Sequence, residues 1–131
     1  MTRQVATSAI VWGGTGRAPT PAEAVFAAEL HRRLPGLQYW LHADADGTPW
    51  LLVSLDIVKN GGVQDTLRLD FDAAGICGGW SPSALNWDDG VRAAAVGIDR
   101  HAKDGMQYGS GHSPAQLAAF AADWFKAKSL L

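Results

Sequence analysis

A chain of 131 residues with 47% hydrophobic and 18% charged side chains has enough apolar mass for one core and lies well outside the disordered range. Its formal net charge of −2 gives no strong field of either sign, which argues against wholesale binding to nucleic acid or to an anionic membrane surface. The single cysteine, Cys77, excludes an intramolecular disulfide and every paired-cysteine metal pattern, so one domain over residues 1–131 in a reducing, cytoplasmic setting is expected.

The first apolar run, Val5 to Trp12, is read as a short strand or an extended arm. Thr7 and Ser8 interrupt it and no cleavage site follows, so neither a signal peptide nor a membrane span is expected. Gly13-Gly14-Thr15-Gly16 comes next, at the place where phosphate-binding loops occur. It lacks the Lys-Ser/Thr pair of a P-loop and the third glycine of a dinucleotide fingerprint, which favours a plain connection. Thr20-Pro21-Ala22-Glu23 then combines a capping hydroxyl, a proline suited to the first helical position and an acid three residues after the cap. A helix is predicted from Pro21 to Leu34, with Val25, Phe26, Leu30 and Leu34 on its inner side and Pro35-Gly36 as its stop.

Four strands follow: Leu37 to Ala43, Trp50 to Val58, Val63 to Phe71 and Ile76 to Trp80. Asp46-Gly47, Asn60-Gly61-Gly62 and Ala74-Gly75 separate them with residues that tolerate tight turns. Asp44-Ala45-Asp46-Gly47 opens like a calcium loop, but the third acid and the distal glutamate are missing, so a hairpin turn is expected. The third strand alternates most cleanly, with Leu67, Leu69 and Phe71 on one face and Thr66, Arg68, Asp70 and Asp72 on the other.

Beyond the strands lies Gly78 to Gly90, a loop that crowds Trp80, Trp87, Asp88 and Asp89 among glycines. Val91 to Ile98 is rich in alanine and is read as a short helix, whereas Asp104 to Gly111, with three glycines, is read as a loop. Ser113-Pro114-Ala115-Gln116 repeats the cap arrangement, and Leu117, Phe120, Ala121, Trp124 and Phe125 continue at helical spacing. The sum is an α+β fold: a mainly antiparallel four- to five-stranded sheet, Val5 to Trp12 being the fifth strand, with the N-terminal and C-terminal helices packed on one face. The opposite face, carrying Gln38, Trp40, His42, Arg68, Asp70 and Asp72, is then expected to meet water or a partner.

No motif names a reaction. His31, His42, His101 and His112 stand at no metal-binding spacing, and Cys77 has no base beside it in sequence, so no catalytic, metal or cofactor site is assigned. Aromatics with a few charged neighbours dominate interaction hot spots, which makes Trp80, Trp87, Asp88, Asp89 and Arg92, together with Trp40 and His42, the expected partner-binding residues. In size and element order the chain resembles the small immunity or antitoxin-type proteins of bacterial toxin systems. That resemblance implies a protein partner of the basic toxin type and a non-enzymatic role. Two alternatives stand beside it. One is a small enzyme or ligand-binding protein with a pocket near Gly105 to Gly111, using His101 or His112 with Asp88. The other is a self-associating subunit that forms a homodimer through Trp40 and the sheet face.

Overall fold

In the computed structural model the described residues are 10–14, 16–59, 61–81, 91–92, 98, 101, 103–109 and 111–129. Helix α1, Pro21–Arg33, begins as the sequence dictates. The Thr20 hydroxyl accepts from the Glu23 amide at 3.1 Å, and the Glu23 carboxylate accepts from the Thr20 amide at 2.8 Å. Strands β2 (Gln38–Ala43), β3 (Pro49–Lys59), β4 (Gly62–Asp72) and β5 (Gly75–Trp80) form an antiparallel meander. Helix α2, Pro114–Ser129, closes the chain with a second capping box, in which Gln116 takes the glutamate's part.

The sheet is larger and less uniform than expected. Among the described residues it has six strands in chain order and is mixed, because β1, Trp12–Gly14, pairs parallel with β2. The glycines predicted to end the first strand are thus part of it, while residues 5–9 lie outside the described residues. The sixth strand, β6 (Met106–Gly109), occupies a stretch expected to be loop. Its partner explains it. At Gly75, with φ 125°, a Cβ would sit 2.0 Å from the Tyr108 carbonyl oxygen, so only glycine lets the two backbones come together and pair.

One face of the sheet supplies Tyr39, Leu41, Leu51, Val53, Leu67, Leu69, Phe71 and Ile76 to a buried cluster that also holds Phe26 and Leu30 of α1 and Leu117, Ala121 and Phe125 of α2. Phe26 stacks on Phe71 at 4.3 Å. Burying each such side chain contributes about 1.5–3 kcal/mol. Val25 is a correction: half exposed, it stands outside this stripe, and Ala27 takes its place. At Gly78 a Cβ would meet the Arg68 carbonyl oxygen at 2.4 Å and the Trp124 ring at 3.2 Å, so the missing side chain makes room for the indole of α2. No helix among the described residues is long and apolar enough to cross a membrane.

The opposite face carries the residues the alternation assigns to it, but its centre is not open to water, while Gln38 is exposed. Arg68 is 0% exposed and Asp70 4%, and Trp50, Leu52, Ser54 and His42 are buried beside them. Val91 and Arg92, from the stretch read as a short helix, lie over this face and bond to it. Neither is helical, and residues 93–97 lie outside the described residues.

Candidate functional site

Strand pleating puts residues two apart on one face, and register then aligns them across strands. One row across five strands reads Trp40, Leu52, Asp70, Cys77 and Gln107, and the row beside it reads Gln38, Ser54, Arg68 and Gly79. Arg68 and Asp70 are therefore neighbours on the buried face. The guanidinium Nε donates to Asp70 Oδ1 at 3.1 Å, and Nη2 donates to the Val91 carbonyl oxygen. The Trp50 ring lies 5.8 Å from the same guanidinium.

Arg92 completes the assembly. It donates to both Asp44 oxygens at 3.0 and 2.8 Å and to Asp72 Oδ2 at 2.6 Å, with its guanidinium 4.9 Å from the Trp50 ring. The hydrogen bonds to Arg92 hold the Asp44 carboxyl below its ordinary value, and those same bonds push Arg92 above its own. A segment far along the chain is thereby fastened to the β2–β3 turn and to the end of β4. Val91 and Arg92 are held in this way against Arg68, Asp72 and Trp50.

Beside this network, at the β4–β5–β6 edge, is a pocket of about 310 Å³ lined by Asp70, Asp72, Cys77, Arg92, Gln107 and Tyr108, among others. Its charged walls are rigid, because Asp70 is held by Arg68, and Asp72 by Arg92 and the Ala74 amide. Gln107 and Tyr108 are exposed at its rim, and Cys77 is half-buried within it. Among the described residues no three His, Cys, Asp or Glu side chains gather in a way that could hold a metal ion.

The residues expected to bind a partner meet different fates. Trp80 packs against the core cluster and donates from Nε1 to Asp104 at 3.3 Å, so it closes the sheet end. Asp104 also takes Lys128, which is the main reason its carboxyl is held low. Trp40 is half-buried against Trp50 and Leu52, with Nε1 3.4 Å from Ser54 Oγ. His42 is buried 4.8 Å from the Trp50 ring, which corrects the open binding surface expected of it. Arg92 is engaged in its two ion pairs, and Trp87, Asp88 and Asp89 lie outside the described residues. His112 sits edge-on to Phe120 at 5.1 Å and is not among the residues lining the pocket. Sequence reasoning missed Arg17 altogether, weighed Asp44 only as part of a turn, and did not single out Gln107, which lines the pocket. Arg17 holds the buried Glu23 bidentately at 2.8 and 2.7 Å and donates to the His42 and Trp50 carbonyl oxygens. No protein-family model, no curated protein and no solved structure matches the chain.

Proposed function

We propose that the protein is a non-catalytic binding protein of the toxin-neutralising type that receives a basic side chain of a protein partner in the pocket bounded by Asp70, Asp72, Gln107 and Tyr108. The observation that carries this reading is the rigid acidic wall. Among the described residues the pocket's charged lining is Asp70, Asp72 and Arg92, which leaves one negative charge in excess. Each carboxylate offers about four lone-pair sites, so those facing the pocket keep acceptor capacity beyond their internal bonds. Groups already held in place need little reordering when a partner arrives, which suits recognition. The same reading takes both helices to cover the first sheet face, supported by the single cluster that Phe26 and Phe125 share with Leu41 and Leu69.

Gln107→Arg tests the proposal. Gln107 is exposed, so the fold tolerates the change, while the longer cationic side chain fills and neutralises the pocket. A partner captured from lysate of the protein's own source by the wild type, weakened by added salt and lost with Gln107→Arg, is the expected result. Equal capture by both chains refutes the pocket as the contact. A small cationic ligand in the same pocket is the second reading, favoured because Gln107 and Tyr108 belong to the stretch expected to flank a ligand.

A further inference from the structure

We infer that the acidic pocket selects arginine over lysine, a choice that rests on its being the partner's contact as proposed above, and that the guanidinium bridges the Asp72 carboxylate and the side-chain carbonyl of Gln107.

Register explains the shape of this pocket. On the second sheet face the row Asp70, Cys77 and Gln107 runs from β4 out to the edge strand β6, and the next row reads Asp72, Gly75 and Gly109. The first row supplies a wall. The second supplies only Asp72, because its two glycines leave the way in from the edge without a side chain. At Gly109, which is exposed, a Cβ would meet nothing within 4 Å, so the mouth of this trough is open. A side chain entering there has the Asp72 carboxylate at the inner end and Gln107 on the edge strand beside it. Neighbouring strands lie about 4.8 Å apart, which puts the backbones of β4 and β6 roughly 10 Å from each other. A cation that meets acceptors from both must present donors at two ends. A guanidinium does so with five N–H groups spread over a plane, whereas an ammonium carries its three on a single atom.

The second argument is the neighbour already present. Arg92 donates to Asp72 Oδ2 at 2.6 Å, so an incoming cation shares that carboxylate with another positive group. A delocalised, weakly hydrated guanidinium does this with less repulsion and less desolvation than a compact ammonium. The molecule's own cations divide the same way. Arg92 spans Asp44 and Asp72, and Arg17 grips both oxygens of Glu23 while donating to the His42 and Trp50 carbonyls. Lys128, by contrast, meets one oxygen of Asp104 at 3.1 Å.

The test is an NMR titration of the full chain with N-acetyl-arginine methylamide and N-acetyl-lysine methylamide, two probes of equal charge. Saturable shifts are expected at Gly75, Cys77 and Gln107, with the arginine probe bound about 3- to 10-fold more tightly, the worth of one hydrogen bond. Gln107→Met keeps the length of an exposed side chain, removes its carbonyl, and should bring the two affinities together. Equal affinities in the wild type, or a preference that Gln107→Met leaves intact, would overturn the selection of arginine and leave the pocket standing as a cation site. Shifts from neither probe at these residues would overturn both.

Discussion

At the scale of single residues, the decisive pair is Arg68 and Asp70. A buried ion pair is a poor source of net stability, but removing one member leaves the other charged and dry. Arg68→Met should therefore cost about 3–5 kcal/mol, read from the urea midpoint, and the double change Arg68→Met with Asp70→Leu should recover most of that loss. Equal midpoints for the single variant and the wild type would show that the pair carries no such role. Period-two alternation was enough to place both residues on one face from sequence. Their burial was not legible, because it depends on Val91 and Arg92, which reach this face from more than 20 residues further along the chain. The same limit explains Trp40 and His42. Their face was readable, whereas the packing of Trp50 and Leu52 beside them is a matter of register and depth.

Among the elements, α1 shows local and distant signals in one side chain. Glu23 was legible as the third member of a capping box, and it is also the anchor of Arg17, which ties the connection before α1 to the backbone of β2 and β3. Thr20→Ala removes only the cap and should cost about 1 kcal/mol. Arg17→Ala leaves Glu23 buried without its guanidinium and should cost about 3 kcal/mol. Chemical denaturation of the two variants side by side checks the order, and a larger loss from the cap would reverse this reading. The four central strands and both helices were legible, since their turns, caps and spacing agree. Strand β6 was not, and β1 was read only through Trp12, the last residue of the expected fifth strand: both are short and are formed by their neighbours' backbones more than by their own side-chain pattern.

For the whole molecule, acid is the informative stress. Asp44 is held low by Arg92, Asp104 by Lys128, Glu29 by Arg32 and Arg33, and Asp46 by the Thr48 amide. A carboxyl whose folded value lies below its unfolded value contributes stability above the ordinary carboxylate range, and that contribution is lost as pH falls through the lowered value. Thermal midpoints should thus be flat near neutrality and fall below about pH 4. Asp44→Asn should lower the midpoint at pH 7 and make the acid limb shallower, because one of the titrating anchors of the crossing segment is gone. An acid limb as steep as the wild type's would remove Asp44 from this account. The strand order has a further consequence. The two 11-residue strands, β3 and β4, lie at the centre of the sheet, while the outermost strands run for only 3 and 4 residues. A long bare border is what lets one sheet recruit another chain and grow into a fibril. Here residues 49–54 of β3 and 67–72 of β4 are paired on both sides, whereas residues 55–59 and 62–66 pair, among the described residues, only with each other, so that hairpin end is the stretch of border a second chain could meet.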